Sequence, residues 1–231
     1  MLNLHEIFNQ FSKSMSKFAN SPVNLEKIFT NPISLVTILG CMAIFVLIFK
    51  AKKIKFDTKL IARIGMVLAL TVILHSLKIY KFPQGGSVTL GSMIPILLIG
   101  FMYGPYIGML TGFLFGIINM NMDPYILNPV QVLFDYPLPY MCLGLTGFFR
   151  NRKMLGAFIA IFARFLCHFI SGVAFFGSFA PEGMSPWIYS LVVNGSVIGA
   201  DGIICLVILY FLPVQRLIKT VGNNYKSKLA W

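Results

Sequence analysis

Acidic side chains are scarce in this chain: seven Asp and Glu among 231 residues, against 19 Lys and Arg. Charged residues of every kind make up only 11%, where a soluble domain carries about 25% to cover its surface. No strand patterning is evident. There is no His-Glu-x-x-His helix, no Gly-x-Ser-x-Gly elbow, no paired-aspartate motif and no Walker A loop, which argues against a membrane-embedded enzyme and against an ATPase within the chain. The four cysteines, Cys41, Cys142, Cys167 and Cys205, lie inside apolar runs without pairwise motif spacing, so they read as small buried or lipid-facing residues, with neither disulfides nor a metal site expected. The first thirty residues lack a charged start followed by an apolar block, and no cleavable signal peptide is expected.

What is present is hydrocarbon. Hydrophobic residues make up 57% and the mean hydropathy is +0.81. Several apolar runs approach or exceed the roughly 20 residues a helix needs to cross a bilayer, and spanning segments must satisfy their own backbone polar groups, so helices are expected. The fold class is therefore an all-α polytopic membrane protein. The formal charge of +12 does not point to nucleic acid, because the basic residues cluster beside apolar runs, as in cytoplasmic loops of membrane proteins, and no recognition pattern accompanies them.

Residues 1–31 carry an apolar stripe of Leu4, Ile7, Phe8, Phe11, Met15 and Phe18, which fits a helix lying on the membrane surface or an extension that packs or stays disordered. Seven candidate spans follow: about 32–49, 59–80, 88–102, 105–120, 130–149, 154–178 and 190–212. Gly108, Gly112 and Gly116 recur every four residues and give one helix face smooth enough for close backbone packing. Loops are expected at 81–87, 121–129 and 179–189, rich in Gly and Pro. Residues 1–55 form an amphipathic segment with an extra transmembrane helix, and 56–231 a membrane domain with a basic tail. If each run crosses once, with 50–63 in the cytoplasm, 13 of the 19 basic residues fall on that side; the N-terminus is then outside and the C-terminus cytoplasmic.

Under this topology Asp135, Tyr136, His168, Tyr189 and Asn194 all fall in the outer half of the membrane, placed by the helical rise of about 1.5 Å per residue. Intramembrane polar groups are costly and usually face a cavity or a partner. An acid, an imidazole, an amide and two phenols at one depth fit a small-molecule site, with the carboxylate favouring a cation; helix–helix hydrogen bonding is the alternative. Arg164 and Asp201 both fall near the midplane and read as a buried ion pair joining the last two helices, or as transport chemistry. His75 reads as an interfacial residue.

Longer motifs sharpen this. Leu127-Asn-Pro-Val-Gln-Val-Leu-Phe-Asp-Tyr-Pro, Arg164-Phe-Leu-Cys-His-Phe-Ile-Ser-Gly-Val, the stretch from Ala180 through Trp187 to Ser196, and Pro83-Gln-Gly-Gly-Ser-Val-Thr-Leu-Gly-Ser-Met-Ile-Pro resemble the thiamine-specific S components of energy-coupling factor (ECF) transporters over about residues 58–213. The resemblance implies a six-helix S-component body, here with one extra N-terminal helix, in the cell membrane. It implies a non-enzymatic subunit that captures thiamine at the outer face, with no cofactor of its own. Its implied partners are a transmembrane T subunit and two ATPase subunits. An S component for another small vitamin or precursor is the alternative cargo assignment. Carried onto this chain, the family's binding residues are Tyr125, Asp135, Tyr136, His168, Tyr189 and Asn194, and its T-subunit docking pair is Gly65 and Ala69. Where the family's best-known members carry tryptophans, this sequence has Phe82 and Phe176, with Trp187 nearest, so ring stacking is expected to be redistributed.

Overall fold

The computed structural model describes residues 32–51, 54, 56–82 and 86–222, with isolated positions 9, 12, 13 and 16; the expected surface helix over 1–31 lies mostly outside the described residues. The elements are α1 (Pro32–Ala51), α2 (Thr58–Ser76), β1 (Lys78–Lys81), β2 (Ser87–Thr89), α3 (Ile94–Tyr103), α4 (Pro105–Met122), α5 (Pro129–Asp135), α6 (Pro137–Cys142), a 3-10 segment (Leu143–Phe149), α7 (Lys153–Phe175), α8 (Pro186–Phe211) and a short α9 (Val214–Leu217). Among the described residues, α2, α7 and α8 are long and apolar enough to cross a membrane. Their outward faces carry large apolar side chains such as Met66, Phe162, Ile203 and Phe211, an arrangement that suits lipid and not water.

Helix starts follow from local chemistry. Asp57 accepts the Leu60 N–H at 2.7 Å to cap α2, and Ser185 accepts the Ile188 N–H at 3.3 Å ahead of Pro186 to open α8. Asn128 accepts the N–H groups of Val130 (3.0 Å) and Gln131 (2.9 Å), with Pro129 as the first residue of α5. These are polar side chains satisfying the free donors of a first turn, with proline where no donor is needed. Two helix ends are closed by basic residues. Arg150 donates to the carbonyls of Phe101 (2.8 Å) and Met102 (2.7 Å) at the end of α3. Lys153 donates to those of Leu209 (3.1 Å), Tyr210 (2.8 Å) and Leu212 (2.9 Å) at the end of α8. Unpaired carbonyls at helix C-termini attract such donors.

Two expected spans are not continuous helices. The run at 88–102 divides into strand and helix. Its first part is extended: β2 pairs antiparallel with β1, and the chain then descends beside α8. Gly86 approaches Val197, Thr89 bonds Asp201, and Gly91 approaches Ile208. Only its second part is helical, as α3 from Ile94 onward. This short strand pair leaves no alternating pattern in the sequence and does not alter the all-α class. The run at 130–149 is broken where Pro137, which has no N–H to donate, ends α5 and starts α6.

The glycine face of α4 forms a seam. A Cβ on Gly112 would lie 2.0 Å from the Tyr140 carbonyl oxygen, and one on Gly144 would lie 2.0 Å from the Met109 nitrogen. Backbones here touch backbones, which locks α3, α4 and the α5–α6–3-10 segment into one plate. Beside it the core is filled by Met93, Leu97, Phe101, Phe115, Tyr140, Leu143, Ile198 and Leu209. Helix α1 rests on the plate's outer side: Leu47 joins Phe134, Leu138 and Met141 in an apolar cluster.

Candidate functional site

The strand pair β1–β2 and the loops 123–128 and 176–185 gather at one end of the bundle, and the polar side chains beneath them converge. Asp135 closes α5, and its Oδ1 lies 3.4 Å from His168 Nδ1 on α7; the two side chains are 17% and 18% exposed. Gln131, one turn earlier on α5 and 1% exposed, donates to the other Asp135 oxygen. The same Gln131 amide donates to the Tyr125 carbonyl at 3.1 Å, and its oxygen accepts the Leu127 N–H at 3.0 Å. It thereby fixes both the carboxylate and the incoming loop. Sequence reading assigned Gln131 no role. The signal was its spacing of four residues from Asp135, which places both on one helix face.

Tyr136 works on the loop. Its hydroxyl donates to the Asp123 carbonyl (2.8 Å) and accepts the Tyr125 N–H (2.7 Å). That leaves the Tyr125 ring half exposed and stacked on Phe176, with centroids 5.6 Å apart and 30° between planes. Through Gln131 the backbone of Tyr125 is tied to the acid, and Phe176 supplies the second ring of the pair. Such faces attract a cation.

On the opposite wall, Asn194 of α8 donates to the His168 carbonyl (3.2 Å) and to Ser190 Oγ (3.1 Å), and Ser190 donates to the Phe169 carbonyl (2.7 Å). These bonds bind α8 to α7 directly behind the imidazole. A side chain at position 172 would obstruct them, since a Cβ on Gly172 would lie 2.3 Å from Ser190 Oγ. Both amide hydrogens of Asn194 are therefore directed at the protein, and its oxygen is the atom left to face a ligand. Tyr189 is half-buried on the first turn of α8. Among the described residues its hydroxyl makes no hydrogen bond, and it is the one candidate not drawn into the network.

The polar lining continues inward. Arg164, His168 and Ser171 share one face of α7 at helical spacing. Arg164 lies with its guanidinium carbon 4.5 Å from the Tyr140 ring centre, and its Nη1 is 3.9 Å from Asp201 Oδ2. Among the described residues, buried atoms of Arg164 (Nε, Nη1), Ser171 (Oγ), His75 (Nδ1) and Asn119 (Oδ1) make no hydrogen bond within the protein. Buried groups of this kind normally find partners. His75, in the last turn of α2, faces into the bundle: it is 7% exposed, set edge-on to Phe115.

At the rim, Lys78 donates to Asp123 at 2.6 Å, and His75 Nε2 lies 3.7 Å from the same oxygen. Burial opposes ionisation of Asp123, but the hydrogen bond and charge of Lys78, with His75 and Lys81, outweigh it and hold the carboxyl below its ordinary 3.8. A depressed carboxylate stabilises the fold above its unfolded pKa and loses that contribution as pH falls through the folded one. The thermal midpoint of Asp123→Asn should therefore lie below wild type at pH 5 to 7, and the two should converge only below about pH 3.8. The gap should be small, because a rim pair this exposed contributes about 0.2–1 kcal/mol. Equal midpoints at pH 6 would show that the tie does not hold the rim.

The docking pair expected from the family lies elsewhere. Gly65 and Ala69 are both exposed on α2, and a Cβ on Gly65 would meet nothing within 4 Å.

Comparison with known proteins gives a consistent result. Residues 61–221 match the thiamine transporter protein (Thia_YuaJ) family. The chain is 36% identical over 159 residues to the thiamine transporter ThiT of Bacillus subtilis, covering 61% of this chain and 82% of the relative. It is 28% identical over 197 residues to ThiT of Lacticaseibacillus paracasei, covering 75% and 94%. A solved structure of ThiT from Listeria monocytogenes superposes with a TM-score of 0.59 at 21% identity, covering 72% of this chain and 96% of that one; at that identity the likeness speaks to the fold.

Proposed function

The chain belongs to the Thia_YuaJ thiamine transporter family, a family of transporters and not of enzymes, and from this premise we propose that it is the thiamine-capturing S component of an ECF-type importer. The observation that carries the reading is the Asp135 carboxylate, held between Gln131 and His168 in the outer half of the bundle, with the Tyr125–Phe176 ring pair beside it. A permanently cationic, two-ring ligand meets a fixed counter-charge and an aromatic face there. His168, Tyr189 and the free oxygen of Asn194 supply polar contacts around the rings, and Tyr136 acts by holding the Tyr125 loop in place.

Capture occurs at the outer face, with the basic end of the bundle in the cytoplasm, following the excess of Lys and Arg on that side. Energy for uphill import comes from a T subunit and two ATPases, since the sequence has no nucleotide loop. The T subunit docks on the α2 face at Gly65 and Ala69, where missing side chains let a partner helix come close, flanked by exposed Ile61, Met66 and Ile73.

The direct test is calorimetry, or quenching of intrinsic tryptophan fluorescence, on the purified full chain with thiamine, riboflavin and biotin. Saturable submicromolar binding of thiamine alone is expected. No binding, or preference for riboflavin, refutes the assignment.

A further inference from the structure

Asp201 lies in the middle of α8, and its hydrogen bonds do not go to Arg164. The 3.9 Å separation from Arg164 Nη1 exceeds hydrogen-bond range, while the guanidinium stacks on Tyr140. Both groups that Asp201 binds belong to Thr89: its N–H reaches Oδ1 at 3.0 Å and its hydroxyl reaches the same oxygen at 2.8 Å. Thr89 in turn accepts the Ser92 N–H at 3.2 Å, and the two hydroxyls lie 2.8 Å apart. Thr89, Ser92 and Asp201 are 1%, 2% and 3% exposed.

These contacts have a physical reason. The arm at 86–92, a strand over Ser87–Thr89 followed by a bend at Leu90 and Gly91, runs down beside a spanning helix, where a buried N–H must find its acceptor within the protein. Asp201 supplies the acceptor, and Arg164 supplies a neutralising charge nearby. Thr89 is the last residue of β2, opposite Lys78 at the foot of the β1–β2 hairpin. One side of that hairpin is tied through Lys78 to Asp123, in the loop that carries Tyr125. On the other side Gly86 rests on Val197, and a Cβ there would lie 3.0 Å from it; Val197 is three residues inward of Asn194. The hairpin therefore bridges the two walls of the site, and its height along α8 is set at Thr89.

We propose that Asp201 is a positioning residue for ligand capture: through Thr89 it pins the arm to α8 and so holds the β1–β2 hairpin between the walls of the site. The inference rests on the capture reading above. Asp201 touches no ligand itself, and the variable it governs is how long the bound ligand stays.

The test compares Thr89→Val, which keeps shape and removes the hydroxyl, with Thr89→Ser, which restores it, in the full-length protein. Stopped-flow dissociation of thiamine and hydrogen exchange of the 86–92 backbone are both read. Thr89→Val should release thiamine about fivefold faster, the equivalent of one ordinary hydrogen bond, with the association rate within about twofold of wild type. The 86–92 amides should exchange faster, and Thr89→Ser should return both readouts to wild type. Unchanged dissociation with Thr89→Val overturns the proposal, as does a Thr89→Ser protein that behaves like the valine variant. Asp201→Ala, if it folds, should lose protection at the Thr89 amide, and retained protection counts against the clasp. A wild-type protein that fails to bind thiamine brings down the capture reading; the exchange measurement then judges the clasp alone.

Discussion

Asp135→Asn is expected to weaken thiamine binding about 100-fold, roughly 2.7 kcal/mol. The substitution preserves size and leaves an amide that can still bond Gln131, so it removes charge and little else. Truncating one partner of a buried charge pair costs about 2–5 kcal/mol in measured interfaces, much of it from the charge left without a partner. Here the stranded charge belongs to the ligand. Asp135 also occupies a position where its charge counts, since its side chain is only 17% exposed and solvent screens it weakly. Calorimetry on the variant decides the matter. Affinity within twofold of wild type would show that the ring cation is balanced elsewhere, and the proposed pose would have to be abandoned.

The second large effect concerns folding. Gly144→Ala should lower stability by about 3 kcal/mol, the upper end of what forced overpacking costs. The added methyl would lie 2.0 Å from the Met109 nitrogen and 2.4 Å from the Gly108 carbonyl carbon. Both obstacles are backbone, so no rotamer change relieves them and two elements must separate. Gly199→Ala is the matched control, because a Cβ there meets nothing within 4 Å, and it should be neutral or mildly stabilising through helix propensity. Thermal midpoints and monodisperse yield report on both. Equal behaviour of the two variants would mean that the seam is looser than its distances imply.

Much of this molecule could be read from its residues. Helices α2, α7 and α8 follow from long apolar runs, and the common depth of Asp135, His168 and Asn194 follows from counting along them. The structure adds the 3.4 Å contact between Asp135 and His168 and the Asn194 bond to the His168 backbone. The stretch at 88–102 was not legible, because an apolar run of that length reads alike as a buried strand or a buried helix. What separates them here is tertiary: a carboxylate 112 residues further along the chain accepts the Thr89 N–H. Depth along a helix was available to sequence reasoning, and it brought Arg164 and Asp201 together, 3.9 Å apart in the structure; the hydrogen bonds of Asp201 to Thr89 were not legible, because they depend on the path of the chain across the bundle. The break at Pro137 was visible as a proline, yet membrane helices often continue through one by finding other partners for the freed groups.

The plate of touching backbones has a mechanical consequence. A slab whose ribs meet backbone to backbone has little room to yield, and Asp135 and Tyr136 sit at its edge, where a Cβ on Gly116 would collide with the Tyr136 carbonyl oxygen at 2.5 Å. The acid is thus mounted on the stiffer wall of the proposed site. Under the proposed function, motion that admits or expels cargo is expected in the jaw opposite, made of α7, α8 and the hairpin, and a redesign of what is carried would start there.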